Sequence, residues 1–283
     1  MRLIRHESPG MRFELAFAAP VSTLRKYVRE YVGWVDCSGT PVSRRELPSG
    51  IVPLIINFGA TVRERKAGSD RWNAYGTFTA GLHEAFTIVE SAGPNVGIQV
   101  NFTAIGARLF YDRPLAELTN RTVELTDVFG RSADRLMSQL NEAPSWEERF
   151  AILDREIGSR TASARRPARV IEWAWEELSR TRGRVRISDL VREVGWSERH
   201  FAVQFRDQIG LAPKALARLM RIAHAVRSLT TDPSPNLADV AQICGYYDQA
   251  HFTRDFRSFA GTTPTALLAS RFPEQAGFRA DRR

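Results

Sequence analysis

ISDLVREVGWSERHFAVQFRDQIGLAP, from Ile187 to Pro213, and LADVAQICGYYDQAHFTRDFRSFAGTTP, from Leu237 to Pro264, are two copies of one helical unit. Asp189 matches Asp239, Val194 matches Cys244 and Gly195 matches Gly245 at a constant offset of 50 residues. The second copy then carries one extra residue. Beyond it Ser197 pairs with Asp248, His200 with His251, Phe201 with Phe252, Phe205 with Phe256, Arg206 with Arg257, Gly210 with Gly261 and Pro213 with Pro264. An insertion tolerated there belongs in a turn.

Each copy reads as a helix-turn-helix. A short amphipathic helix, with Leu190, Val191 and Val194 in one copy and Val240, Ala241 and Cys244 in the other, stops at Gly195 or Gly245. A left-handed C-cap is cheap there because glycine has no β-carbon. Ser197 and Asp248 are good N-caps, so a second helix starts at each and runs to the next glycine. Phe201, Phe205 and Ile209, and likewise Phe252, Phe256 and Phe259, fall on one face of that helix and are expected to pack inward.

The opposite face must meet solvent or a ligand. In the second unit it offers Gln249, His251, Arg254 and Arg257; in the first it offers Arg199 and Arg206, with Ala202 and Val203 between them. Arginine matches guanine O6 and N7 as a fork, and a helix fits the major groove. Arg254 and Gln249 are the leading candidates for base contact and Arg199 the next, while Arg206 and Arg257 suit phosphates, and the second helix is expected to be the more selective reader. His200 and His251 stand beside inward phenylalanines; a structural role is the first reading for His200 and weighs equally with DNA contact for His251. The segment Lys214 to Leu229 has apolar residues at helical spacing and is expected to be a stiff connector that sets the two readers in successive major grooves.

The region from about Arg169 to Arg271 resembles the DNA-binding domain of the AraC/XylS family of bacterial transcription regulators. The residues that carry the resemblance are Asp189-Leu190-Val191, Gly195-Trp196-Ser197, His200-Phe201, Phe205, Gly210 and Pro213, then Gly245-Tyr246-Tyr247-Asp248-Gln249, His251-Phe252-Thr253-Arg254, Phe256, Gly261 and Pro264. The resemblance implies a sequence-specific transcription regulator that binds double-stranded promoter or operator DNA, works with RNA polymerase and uses Ser197, Arg199, Arg206, Gln249, His251, Arg254 and Arg257 at the DNA. One departure stands out. Where the family usually carries a basic residue, at the position equivalent to Arg254, this chain has Val203.

Charge supports a polyanion partner independently. Of the net +8, residues 165–283 contribute +7, from 20 Lys/Arg against 13 Asp/Glu. A basic domain beside a neutral one suggests a nucleic-acid module joined to something with another task. The 283 residues and 43% hydrophobic content suit two domains. Cys37 and Cys244 are the only cysteines, so neither a disulfide framework nor a thiolate metal cluster is expected. The N-terminus lacks the apolar run of a signal peptide and no stretch has the length to span a bilayer, so a cytoplasmic protein without membrane association is expected.

The expected architecture is α+β: an N-terminal β-rich barrel or sandwich with a helical pair, and a C-terminal all-α domain of two helix-turn-helix units joined by a long helix. The expected domains are residues 1–160 and 168–272, separated by the polar stretch GSRTASARRP at Gly158 to Pro167. Ile51 to Phe58, Ala74 to Thr79, Phe86 to Glu90 and Val96 to Phe102 are β-prone; Asp127 to Leu140 and Ser145 to Ile157 read as helices.

The N-terminal half, with strings such as LPSGIVPLIINFG and FYDRPLAELTNRTVELTDVFG, more loosely resembles the regulatory domain of many such regulators. That likeness implies binding of a small-molecule effector, formation of a homodimer, or both. Trp34, Trp72, Tyr75, Phe78 and Phe86 are read first as core and second as pocket lining. His83-Glu84 is the nearest approach to an acid/base or metal pair, but the second histidine of an HExxH helix is missing and no nucleophile or nucleotide-binding motif is present. No enzyme activity, metal or cofactor is expected. The competing readings are a non-specific nucleic-acid binder and a β domain that binds or converts small molecules, with DNA incidental.

Overall fold

The computed structural model describes residues 1–8, 11–37, 42–91, 94–232, 234–271 and 278–280. It is α+β, with antiparallel sheets in the N-terminal part and helices in the C-terminal part. The strands are β1 (Arg2–Ser8), β2 (Met11–Ala18), β3 (Val28–Asp36), β4 (Val42–Glu46), β5 (Val52–Asn57), β6 (Val62–Lys66), β7 (Trp72–Tyr75), β8 (Phe78–Ala80), β9 (Thr87–Ser91), β10 (Asn95–Phe102), β11 (Thr122–Glu124) and β12 (Phe278–Arg279). One sheet has the order β1-β2-β3-β10-β5-β8-β11 and the other β12-β4-β9-β6-β7.

Alternation explains the central strands: Val52, Leu54 and Ile56 of β5 and Ile98 and Val100 of β10 are fully buried, with Ile98 in register with Ile56. The two sheets are tied where Thr122 of β11 donates to Glu64 of β6 at 2.9 Å. The apolar run expected at Ala74 to Thr79 is two strands, β7 and β8. The chain breaks between them at Gly76, whose N–H donates to the Glu124 carboxylate at 2.7 Å.

Four helices accompany the sheets among the described residues, where a pair was expected. They are α1 (Ala104–Tyr111), α2 (Leu125–Phe129), α3 (Arg131–Glu142) and α4 (Trp146–Ser163). Helix α1 is buried all round and so shows no amphipathic period. The single helix expected over Asp127 to Leu140 is interrupted at Gly130. Helix α4 lies on the first sheet: Phe150 stacks on Tyr31 at 5.4 Å, Tyr31 Oη donates to Asp154 at 2.8 Å, and Trp146 Nε1 donates to buried Glu14. It also continues past Gly158 to Ser163, six residues into the stretch expected to be irregular. Buried Thr161, whose hydroxyl donates to the Ile157 carbonyl at 2.7 Å, carries the apolar face onward.

The C-terminal part comprises α5 (Arg169–Arg180), α6 (Ile187–Val194), α7 (Glu198–Ile209), α8 (Pro213–Thr231), α9 (Leu237–Ile243), α10 (Gln249–Ala260) and α11 (Pro264–Ala269). The expected connector is α8. Its 19 residues make a rod about 28 Å long, with Leu216, Leu219, Ile222 and Leu229 buried along it.

Candidate nucleic-acid interface

The two helix-turn-helix units are α6–α7 and α9–α10. Gly195 and Gly245 both adopt the left-handed conformation, at φ 73° and 77°, and turn the chain between the helices. Ser197 Oγ accepts from His200 N at 3.2 Å and Asp248 Oδ1 from His251 N at 2.6 Å, so the two caps are equivalent. Phe201, Phe205 and Ile209 are fully buried, as are Phe252 and Phe256, with Phe259 nearly so. These three residues fix the rotation of each helix about its axis and so decide which side chains face out.

Ser197, Arg199, Arg206, Gln249, His251, Arg254 and Arg257 are all exposed. Arg199, Val203 and Arg206 form one strip along α7; Ala250, Arg254 and Arg257 form the equivalent strip along α10. Among the described residues none of these four arginines makes a side-chain hydrogen bond or ion pair within the chain. Other arginines are engaged, as where Arg180 pairs with Glu177 and Arg192 with Asp189. Four cations held out without partners on two equivalent helix faces suit phosphates and base acceptors. An open groove of about 800 Å³ runs along α10, lined by Gln249, Arg254, Arg257 and Thr263 among others.

Three details go beyond the sequence reading. The inserted residue is Tyr247. Tyr246 takes the place of Trp196, meeting His251 edge-on at 5.3 Å as Trp196 meets His200 at 4.6 Å, and Tyr247 is left 94% exposed beside the N-terminus of α10. The unequal lengths of the two copies were the available signal for it. Both histidines therefore lie against the turn aromatics, and His251 remains on the exposed face. Second, α10 is braced to the connector: Asp255 accepts from Arg218 and, at 3.1 Å, from Tyr246 Oη. Third, Cys244 is fully buried, and burial raises its thiol pKa to about 11, which suits an inert packing role at the place that Val194 takes in the first unit. Its Sγ lies 3.3 Å from His224 Nδ1 on α8.

Both reading helices end on the N-terminal part. Gly210, after α7, lies against the 3-10 turn at Leu115–Glu117, and its carbonyl accepts from Thr119 Oγ1 at 2.6 Å. Gly261, after α10, is covered by the Phe86 ring, which would lie 2.1 Å from a β-carbon placed there. Phe86 N donates to the Phe259 carbonyl at 2.9 Å, and Arg45 stacks on Phe86 at 4.4 Å while donating to the Ala260 carbonyl at 2.8 Å. Gly210 and Gly261 are repeat-equivalent, so the β-rich domain touches the same point of both units.

The other aromatics singled out in this domain are also engaged. Trp34 Nε1 donates to Asn95 at 2.7 Å, Arg63 and Arg65 stack on Trp72, and Tyr75 meets Phe78 at 5.4 Å. His83 and Glu84 brace a turn: the His83 ring lies 3.4 Å from the Arg121 carbonyl and Glu84 N donates to Asn120 at 3.0 Å. No described helix is long and apolar enough to cross a membrane.

Two helix-turn-helix units on one helical spine, with cations on their equivalent outward faces, define a double-reader architecture. Comparison with known proteins agrees. A helix-turn-helix domain model matches residues 190–270, and a model described as a domain of unknown function (DUF6597) matches residues 17–124. The chain is 30% identical over 95 residues to the probable transcription factor PqrA of Proteus vulgaris, covering 34% of this chain and 76% of that protein. It is 35% identical over 86 residues to uncharacterized HTH-type transcriptional regulators of Staphylococcus aureus, covering 30% of this chain but only 11% of those proteins. Among solved structures, ToxT from Vibrio cholerae aligns over 81% of this chain and 96% of its own at 11% identity and a TM-score of 0.46. The chain belongs to the AraC/XylS family of transcription regulators.

Proposed function

We propose that the protein is a sequence-specific DNA-binding transcription regulator whose N-terminal domain controls the two readers in response to a small-molecule effector. The observation that carries the first half is the set of four unpartnered arginines on the repeat-equivalent outward faces of α7 and α10. A non-specific binder needs charge but not two capped helices with distinct side chains on matching positions. Arg254 and Gln249 are the leading base contacts of the second unit and Arg199 of the first. Arg206 and Arg257 hold phosphates. Ser197 contributes too: its oxygen is used as the cap acceptor while its O–H remains to donate to a phosphate.

The seam at Gly210 and Gly261 supports the second half. An effector that shifts the strand end at Phe86 or the turn at Leu115–Glu117 moves the ends of both readers together, and so changes their fit to one duplex. Work by binding rather than turnover follows from the same picture, with His83 and Glu84 spent on bracing a turn. A homodimer and contact with RNA polymerase complete the proposal, in the cytoplasm where the DNA lies.

The test is selection of preferred duplexes from a random pool by the full chain, followed by competition with scrambled DNA. A defined site bound in preference to scrambled duplex supports the reading; equal affinity for both refutes it.

A further inference from the structure

Val203 is 57% exposed in the middle of α7, an aliphatic β-branched side chain on a face otherwise given to cations. Nothing inside the protein requires it there. The inward side of the helix is already filled by Phe201, Phe205 and Ile209, and a valine in mid-helix is a poorer helix former than the arginine or lysine that would suit an exposed position. It lies directly between Arg199 and Arg206, one turn from each, and its neighbour Ala202 adds no polar atom. The central turn of this reading face therefore has no hydrogen-bonding group to offer a base edge. The apolar feature that the major groove presents is the C5-methyl group of thymine.

Building on the proposed DNA reading of α7 and α10, we infer that Val203 reads a thymine methyl and is a specificity-determining residue of α7 alongside Arg199. Arg199 meets a base edge on one side and Arg206 a phosphate on the other while the valine methyls close on the base between them. The repeat sharpens this assignment. Val203 and Arg254 occupy the same position of the two units, so the two half-sites are read by one geometry with different chemistry: a thymine under α7 and a guanine under α10 at the corresponding position. The target is an imperfect direct repeat that differs by T against G at that place.

The test uses the full chain and the duplex it selects. Each thymine in the α7 half-site is replaced in turn by uracil, which keeps the pairing and deletes only the methyl group. One replacement is expected to weaken wild-type binding by about fourfold, the scale for withdrawing one methyl-sized group from an apolar contact. Val203→Ala should bind the thymine and uracil duplexes alike, with a melting temperature no lower than that of the wild type. Val203→Arg, which copies the second unit, should shift the preference at that position from thymine to guanine. Wild-type binding indifferent to uracil throughout the half-site, or a thymine preference that survives in Val203→Ala, overturns the inference and leaves the regulator reading standing. Failure of the selection to return any preferred sequence overturns both.

Discussion

Helices α7 and α10 are built alike on the inside and differently on the outside. Inward, Phe201, Phe205 and Ile209 repeat as Phe252, Phe256 and Phe259, the caps Ser197 and Asp248 do the same work, and both helices end on a glycine seated against the β-rich domain. Outward, the cation proposed to read a base sits on the first turn in α7, as Arg199, and on the second turn in α10, as Arg254, with Val203 and Ala250 in the exchanged places. The bracing differs as well. Asp255 of α10 is locked to Arg218 and Tyr246, while its equivalent in α7 is Gln204, which takes no such partner. Shared inward chemistry packs the two helices alike, and divergent outward chemistry is the basis for the proposal that they read different bases.

The largest effects should come from breaking the shared scaffold. Phe205→Ala and Phe256→Ala each remove a fully buried ring and should cost about 3–5 kcal/mol, read as a fall in the denaturant midpoint. Similar losses at the two sites are expected if the units are equivalent inside. A smaller and more telling contrast lies among the glycines. Gly195→Ala meets open space and should cost only the left-handed strain of about 1–2 kcal/mol, whereas Gly261→Ala also drives into the Phe86 ring and should cost more. Phe86→Ala should relieve that excess in the double variant, which a double-mutant cycle measures.

Separation of base from phosphate contact comes next in size. Arg254→Ala should weaken specific binding by about 1–3 kcal/mol and flatten discrimination at one base position, while Arg257→Ala should lower affinity for every sequence and reduce the salt slope by roughly 1. Equal losses on specific and scrambled duplexes would remove Arg254 from the base-reading set.

The smallest effect is a pH dependence to which His224 of the connector α8 contributes. Burial, and then the nearby Arg182, Arg184 and Arg227, depress the pKa of His224 below its ordinary value of 6.5. The unfolded chain therefore takes up the proton first, so stability should be present above about pH 6.5 and decline as the pH falls through the folded-state pKa. Melting temperatures followed from about pH 7.5 down to 5.5 should fall, and His224→Gln should flatten part of that slope. His83, depressed mainly by burial, contributes in the same sense, so the variant removes only its own share.

The C-terminal part was legible because its signals are local. A four-residue apolar period, a capping side chain and a terminal glycine all lie within one helix, and the outward residues follow once the inward ones are known. The N-terminal part hides the same information. In β6 the inward alternation passes through a buried glutamate, Glu64, so the strand VRERK reads as polar. The outermost strand β1, RLIRHES, is rich in charge and offers no apolar run to mark it. Helix α1 has no polar face to mark a period, and α4 outruns its apolar stripe on a buried threonine. The seam at Gly210 and Gly261 was illegible for another reason: Thr119 and Phe86 lie about 90 and 175 residues away in sequence, and nothing local marks a contact of that range.

The claim on which the rest depends is that two fixed helices address one face of one duplex, and a hydroxyl-radical footprint of the full chain on its selected site examines it directly. Two protected segments centred about one helical turn, or 34 Å, apart on the same face are expected, with the α10 segment lost first in Arg254→Ala. Protection of a single segment, or uniform protection along the duplex, would contradict it.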